Sequence, residues 1–332
     1  MRDNTLTVHR LVVALLCLSL LCALLSNSPR DVVAQSRAAA GVKGDALDLS
    51  RPQQIHMDVD LALVNVTVTD PYNRVVTGLG PDNFRIFEDK VEQEVVNFSS
   101  EDVPASIGVI LDLSGSMADK LGRAKQAALQ FLKTANPQDE FSLIGFNDRV
   151  QLLNRFTDDV ESLQARMVTI SAKGATALLD AIYLGLTQMK DAHYSRRALL
   201  IFSDGGDNHS RYSERDIKRL VREADTQLYS IGIFDPIRYG ARTPEELNGP
   251  SLLTEITELT GGRAFAADDP NELFDIATKI GQELRNQYVL AYRPSNKEHN
   301  ARWRKIKIKL HVPKGLPPLN VYAKTGYYAS DR

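Results

Sequence analysis

An apolar run that ends abruptly in an acid and two hydroxyls is the stretch of this sequence most able to do chemistry. Residues 107–111 are apolar, and Asp112, Ser114 and Ser116 follow them. The pattern predicts a buried strand that delivers polar side chains to the C-terminal edge of an open α/β sheet, where such folds bind ligands. One carboxylate and two hydroxyls at alternate positions suit Mg²⁺, Mn²⁺ or Ca²⁺ better than zinc or copper.

Two later stretches supply further oxygens. Thr176 precedes an apolar helical pattern, and Asp204 follows the apolar run of residues 198–203. In this order, Asp-x-Ser-x-Ser, then Thr, then Asp, the sequence resembles the metal-ion-dependent adhesion site of the von Willebrand factor type A family. The resemblance covers about residues 104–287. The metal ligands that it implies are Asp112, Ser114, Ser116, Thr176 and Asp204.

The resemblance also implies a mode of action. Mg²⁺ prefers six oxygen ligands, so the site keeps a coordination position that an acidic side chain of a protein partner fills. Two protein carboxylates roughly balance the charge of the ion, so a further anionic oxygen is still attracted. We therefore expect an exported adhesion or protein-binding module that captures an Asp or Glu carboxylate. We expect neither an enzyme nor a nucleic-acid-binding protein.

Each candidate ligand also has a structural explanation. An aspartate after a buried strand commonly caps a helix or a turn, and for Asp112 or Asp204 alone that explanation is preferable. Five oxygen donors on three strand-end loops, in the order of the family, favour the metal site. Asp180 either supports the site from behind or caps its own helix, and Asp207 and Asn208 are expected to be solvated.

Two enzyme classes compete with the binding interpretation. An aspartate at the end of a first strand, with Mg²⁺ and a later acid, is also the plan of haloacid-dehalogenase-type phosphatases, in which Asp112 would be the nucleophile. Those enzymes usually carry a general acid two residues further on, where this sequence has Ser114. Ser116 lacks the Gly-x-Ser-x-Gly context of a hydrolase nucleophile. A third alternative is a structural module of an envelope complex with a vestigial site.

The N-terminal segment indicates export. Arg2 and Arg10 precede a fifteen-residue apolar run, residues 11–25, which is shorter than the about 20 residues of a membrane span. We predict a signal peptide over residues 1–34 and a flexible leader over residues 35–56. The protein would be periplasmic, cell-surface or secreted, and would contact a membrane only through an uncleaved signal anchor. A net charge of −2 gives no reason to expect nucleic acid.

Alternating strand and helix patterns over residues 103–287 predict a doubly wound, mostly parallel sheet with helices on both faces. A helix is predicted to begin at residue 119, and a later one to be capped by Thr157 or Asp158. An antiparallel pair over residues 140–146 and 150–156 is expected at one edge. Short strands, including one over residues 75–79, are predicted before and after this domain. We predict that residues 57–102 and 288–329 form one β-sandwich, into which the α/β domain is inserted.

The two flanks also resemble the β segments around bacterial members of the family. The matching pieces are Val-Thr-Gly-Leu…Phe…Phe-Glu-Asp in the first flank and Gly-Tyr-Tyr-Ala in the second. In the second flank, Lys305, Lys307 and Lys309 alternate with apolar residues. We interpret these lysines as the solvated face of a half-buried strand, where they would also protect a sheet edge.

Overall fold

A computed structural model describes residues 61–233, 244–267, 269 and 271–329, with side chains at 244–246 excepted. The predicted signal peptide and leader lie outside the described residues. Contacts divide the chain into two units, Met1–Met57 and Asp58–Arg332, and everything described below belongs to the second. Within the described ranges, no helix has the length and apolar character needed to cross a membrane.

A six-stranded sheet forms the centre of the α/β domain. In spatial order its strands are β10 (Ala264–Ala267), β9 (Gln227–Ile233), β8 (Arg196–Ser203), β5 (Ala105–Asp112), β6 (Glu140–Phe146) and β7 (Val150–Thr157). Neighbouring strands are parallel except β6 and β7, which pair antiparallel and place β7 at an edge. The predicted edge pair is therefore confirmed. All eight residues of β5 are buried, as expected for a central parallel strand covered on both faces.

Helices cover both faces of this sheet. The described α-helices are α1 (Leu121–Thr134), α2 (Val160–Val168), α3 (Leu178–Gln188), α4 (Glu214–Glu223), α5 (Pro244–Leu259) and α6 (Glu272–Arg285). Side chains of α1, α2 and α6 share one hydrophobic core with Val109 and Leu111 of β5. Side chains of α3, α4 and α5 share a second core with Ile110. Successive residues of a strand point to opposite faces, so β5 contributes to both cores.

Two four-stranded antiparallel sheets are built from the flanks. The first has the order β13 (Asn320–Ala323), β1 (Ala62–Thr69), β11 (Tyr288–Tyr292) and β4 (Val95–Ser99). The second has the order β14 (Gly326–Tyr328), β12 (Trp303–Leu310), β2 (Phe84–Glu88) and β3 (Val91–Gln93). Strands from the two flanks alternate in the first sheet, and both flanks contribute two strands to the second. Val64 and Tyr288 of the first sheet share a core with Ile86 and Ile306 of the second. The predicted fold class is confirmed.

Several element boundaries differ from the sequence prediction. The helix predicted from residue 119 begins at Leu121, after a 3₁₀ turn over Gly115–Met117. The next helix is capped by Asp159, not by Thr157 or Asp158 as predicted, because the Asp159 side chain accepts a hydrogen bond from the backbone of Ser162, 3.0 Å away. Local capping geometry decided between three neighbouring polar residues that the sequence pattern ranks alike.

The flanks contain two further differences. The strand predicted over residues 75–79 is reduced to a single bridge between Val75 and Thr69. The lysine-bearing strand β12 lies between β14 and β2, so its exposed lysines do not protect a sheet edge as predicted. The alternation itself is as expected, because Arg304 and Ile306 are buried while Lys305, Lys307 and Lys309 are exposed.

Candidate metal centre

The C-terminal ends of β5 and β8 bring the two predicted acids to one edge of the sheet. The parallel register pairs Leu111 with Phe202, so the residues that follow, Asp112 and Asp204, lie on adjacent strand ends. Asp112 is 0% exposed and Asp204 is 6% exposed. Burial of an ionised carboxylate is costly unless a cation or hydrogen-bond donors compensate for it.

Both oxygens of the Asp112 carboxylate accept hydrogen bonds. The backbone N–H of Ser114 donates to Oδ1 at 2.9 Å, and the Ser203 hydroxyl donates to Oδ2 at 2.6 Å. Burial, and next the negative charge of Asp204, raise the pKa of Asp112 to about 6 despite these donors. The two acids therefore repel each other in the absence of a bound metal ion. Ser203 was not predicted as part of the site.

The two serines of the motif present a pair of oxygens. Ser114 Oγ and Ser116 Oγ are 3.0 Å apart. Adjacent ligands of an octahedral Mg²⁺, with bonds of about 2.1 Å at right angles, are separated by about 3 Å. Ser114 is buried and Ser116 is exposed, so the oxygen pair reaches from the interior to the solvent side of the sheet edge.

The loop that carries Thr176 is fixed to the other two loops of the site. Gly115 N–H donates to the carbonyl of Gly174 at 3.0 Å, which joins this loop to the first part of the motif. Thr176 N–H donates to Asn208 Oδ1 at 2.9 Å, and the Thr176 carbonyl accepts from the backbone of Asn208 and His209, each at 3.0 Å. The three predicted loops thus meet through their backbones.

Two glycines allow this close approach. Gly174 has φ +86°, and a Cβ there would lie 2.7 Å from Asp148 Oδ1. Gly205, directly after Asp204, has φ +83°, and a Cβ there would lie 2.7 Å from Gly249 Cα in α5. Both positions have a left-handed backbone, which favours glycine, and at Gly205 the backbone of Gly249 leaves no space for a side chain.

Asp180 has neither of the predicted roles. It lies within the first turn of α3 and is 8% exposed. Its Oδ1 accepts the backbone N–H groups of Arg211 and Tyr212 at 2.9 and 3.2 Å, and its Oδ2 accepts Arg211 Nε at 3.1 Å. Asp180 therefore anchors the loop that leads into α4.

The expectation that Asp207 is solvated was wrong. Its Oδ1 accepts the backbone N–H of Leu178 at 2.9 Å and the Ser210 hydroxyl at 2.6 Å, so it caps the start of α3 from another loop. Asn208 is exposed, as expected, but its side chain holds Thr176. The contacts of Asp207 with Leu178 and of Asn208 with Thr176 join residues 29 and 32 positions apart, which is why no local pattern indicated them.

Lys120 is the second residue that the sequence prediction missed. It is 9% exposed, and its Nζ lies 3.2 Å from Asp204 Oδ2 and 3.3 Å from the carbonyl oxygen of Ile233. The other oxygen of Asp204, Oδ1, is buried and has no hydrogen-bond partner among the described residues. The lysine follows the motif by only four residues, so its proximity in sequence was the one available signal.

The mostly parallel sheet covered by helices is an α/β fold like that of von Willebrand factor type A domains. Residues 107–206 match the sequence model of the von Willebrand factor type A domain. The matched segment contains most of β5, all of β6, β7 and β8, and the five predicted ligand residues. Domains of this family are generally protein-interaction or adhesion modules.

Individual proteins are similar at low identity. An uncharacterised protein of Borreliella burgdorferi is 23% identical over 186 residues, which are 50% of this chain and 54% of that protein. Inter-alpha-trypsin inhibitor heavy chain H3 of Homo sapiens is 24% identical over 153 residues, which are 41% of this chain and 17% of that protein. The chain thus spans about half of the first relative and a much smaller share of the second.

Solved structures to which the chain is similar include a von Willebrand factor type A protein from Catenulispora acidiphila, at 12% identity and a TM-score of 0.48. That similarity covers 82% of this chain and 74% of the other. The protein BatB from Bacteroides thetaiotaomicron is similar at 19% identity and a TM-score of 0.43, over 54% of this chain and 98% of the other.

Proposed function

We propose that this protein is an exported binding module that captures an Asp or Glu carboxylate of a protein partner through a divalent cation. Mg²⁺ is the proposed ion, with Mn²⁺ or Ca²⁺ as alternatives. The observation that carries the proposal is the buried pair of repelling carboxylates at one sheet edge. One oxygen of Asp204 has no hydrogen-bond partner in the described part of the chain, and a pair of serine hydroxyls follows Asp112 on the adjacent strand end.

The residues present fit a hard cation. The proposed ligands are Asp112, Ser114, Ser116, Thr176 and Asp204. Among the residues that the structure describes, no group of three or more His, Cys, Asp or Glu side chains is suited to a metal. The proposed site therefore depends on hydroxyl oxygens together with two acids, a donor set of the kind that Mg²⁺ and Ca²⁺ accept and that softer metals do not favour.

Ser203, Asn208 and Ser116 have different roles in the proposed site. Ser203 fixes the orientation of the Asp112 carboxylate, and Asn208 fixes the position of the threonine loop. Ser116 is exposed, so the open side of the site faces solvent and a partner. When bound, the cation supplies a Lewis-acidic position that accepts an anionic oxygen of the partner.

Export, to a periplasmic, cell-surface or secreted location, is part of the proposal and depends on the predicted signal peptide. A phosphoryl-transfer enzyme is not favoured, because Ser114 occupies the place of the general acid and its hydroxyl is hydrogen-bonded to Ser116. A neutral serine is a poor proton donor to a leaving group at neutral pH.

The test is a calorimetric titration of the chain with Mg²⁺ and with Mn²⁺, compared with Asp112→Ala and with Asp158→Ala. Asp158 is a matched control because it is exposed and follows β7 at the opposite end of the sheet, where Thr157 pairs with Phe141. We expect the wild type and the control to bind the ion and Asp112→Ala to lose binding. Absence of binding by all three proteins would refute the metal site.

The same three proteins separate the alternatives. Incubated with native extract, the wild type should retain a partner in Mg²⁺ and release it in chelator, and Asp112→Ala should retain none. Turnover of p-nitrophenyl phosphate by the wild type, lost in Asp112→Ala, would instead identify an enzyme. Capture that is indifferent to chelator would indicate a structural module with a vestigial site.

A further inference from the structure

The candidate metal centre already contains a cation that belongs to the chain. The Lys120 ammonium group lies 3.2 Å from Asp204 Oδ2, and the side chains of the pair are only 10% and 8% exposed. The carbonyl oxygen of Ile233, 3.3 Å from Nζ, accepts from the same ammonium group. A lysine is rarely buried to this extent unless an acid and further acceptors compensate for its charge.

The lysine changes the charge that the site offers to an ion. Asp112 and Asp204 contribute two negative charges when ionised, and Lys120 returns one positive charge, which leaves a net charge of −1. A divalent ion would bring the loaded site to +1. Without the lysine, the empty site would carry −2 and the loaded site would be neutral.

The positive charge of Lys120 has opposite effects on the two species that the proposed site would bind, the divalent cation and the carboxylate of a partner. A positive charge in a poorly solvated site repels an incoming cation, and any loss of the contact with Asp204 on binding the ion also lowers the affinity. The same charge, retained after the ion is bound, attracts the anionic oxygen of a partner. A single lysine can therefore lower the affinity of the site for the ion and raise the affinity of the loaded site for the carboxylate.

We propose that Lys120 is a specificity-determining residue that weakens divalent-cation binding and strengthens carboxylate capture by the loaded site. This inference rests on the proposed function, since it concerns the regulation of the same metal site. Its consequence is that ion and partner bind cooperatively: the ion alone is held weakly, and an acidic partner completes the charge balance.

The decisive variant is Lys120→Met, which keeps an unbranched apolar side chain and removes the charge. We expect Mn²⁺ to bind about tenfold more tightly than to the wild type, because one unit charge a few ångströms away in a partly desolvated site is worth at least that factor. We expect acetate to bind several-fold more weakly to the Mn²⁺-loaded variant than to the loaded wild type. A merely structural role for Lys120 would weaken both.

The experiment titrates Mn²⁺ into the full chain at pH 7.5, with free ion measured by electron paramagnetic resonance. Acetate is then titrated into the loaded protein and followed by water-proton relaxation. Lys120→Arg retains the charge and should behave like the wild type. Lys125→Met is the matched control, because Lys125 lies on α1, is half-buried, and donates to the Ile170 carbonyl, at 2.6 Å.

Each outcome is assigned in advance. Tighter Mn²⁺ with weaker acetate in Lys120→Met than in the wild type supports the inference, and tighter Mn²⁺ without weaker acetate overturns it. Unchanged or weaker Mn²⁺ binding in the folded variant, beside a wild type that binds the ion, overturns the inference and leaves the metal site intact. Failure of the wild type to bind Mn²⁺ overturns the metal site and the inference together. Lys120→Gln is judged by the same criteria if the methionine variant does not fold.

Discussion

Replacement of Asp112 by asparagine is expected to stabilise the metal-free protein while it removes the metal site. The Asp112 carboxylate is fully buried and lies near Asp204, and both conditions oppose its ionisation. Asparagine has nearly the same shape and carries no charge. It therefore avoids the electrostatic cost that the acid imposes on the fold at neutral pH.

The magnitude follows from the pKa of Asp112, which is about 6 in the folded protein against an ordinary value of 3.8. Between these two pH values the folded chain keeps a proton that the unfolded chain has lost, so stability falls as the pH rises through this window. Above pH 6 the accumulated cost is about 3 kcal/mol. Asparagine cannot accept both hydrogen bonds that Asp112 receives, which costs about 1 kcal/mol. The expected net gain at pH 7.5 is about 2 kcal/mol.

Urea unfolding in EDTA, monitored by circular dichroism, measures this gain. We expect the unfolding midpoint of Asp112→Asn to exceed that of the wild type at pH 7.5, and most of the advantage to disappear at pH 4. In millimolar Mg²⁺ the order should reverse or narrow, because a bound ion stabilises only the protein that binds it. Asp158→Asn, at an exposed position, should match the wild type throughout.

Two results would refute the reasoning. An asparagine variant that is less stable than the wild type in EDTA at pH 7.5 would show that the hydrogen bonds to Asp112 outweigh its charge. A difference that is the same at pH 4 and pH 7.5 would show that ionisation of Asp112 has no part in it.

The remaining predictions concern the backbone and the buried polar contacts. Gly205→Ala should lower the free energy of unfolding by about 1 kcal/mol or more, measured by urea unfolding, because φ is +83° and the new Cβ would meet the backbone of Gly249. Removal of either partner of the buried ion pair between Arg263 and Glu283 should cost about 3–5 kcal/mol, and a double-mutant cycle with methionine at both positions should show a smaller total than the sum of the two single changes. Tyr288→Phe should cost about 1–3 kcal/mol by thermal and urea unfolding, since the buried hydroxyl bonds two backbone groups of the N-terminal flank, and an unchanged midpoint would contradict this.

The fold was predictable where periodicity is strong and continuous. The apolar run of β5 and the alternation of β12 each indicate an element and its buried face. The predicted strand over residues 75–79 failed because it depended on a partner strand, and in the structure only Val75 bridges to Thr69. A strand forms only beside a neighbouring strand that pairs with its backbone hydrogen-bonding groups, and the local sequence does not identify that neighbour.

In the candidate site, too, some features could be predicted from the sequence and others could not. The residue types, order and strand-end positions of Asp112, Ser114 and Asp204 could be read from the sequence, because each lies at the end of a short recognisable pattern. Their role as metal ligands stays a prediction. Ser203 and Lys120 were not found, since a hydroxyl at the end of a strand and a lysine ahead of a helix have no local pattern that indicates a carboxylate partner.

The sequence by itself determined the order of strands and helices, the two-part flank and the set of oxygen-bearing residues at the sheet edge. Only the tertiary structure decided which groups contact each other at that edge. Ser203 donates a hydrogen bond to Asp112, Asn208 accepts one from Thr176, and Lys120 donates one to Asp204. The physical reason is the separation along the chain over which each effect acts. Periodicity and capping act over a few residues, whereas these contacts join residues 32 to 91 positions apart and form only after the parallel strands are aligned.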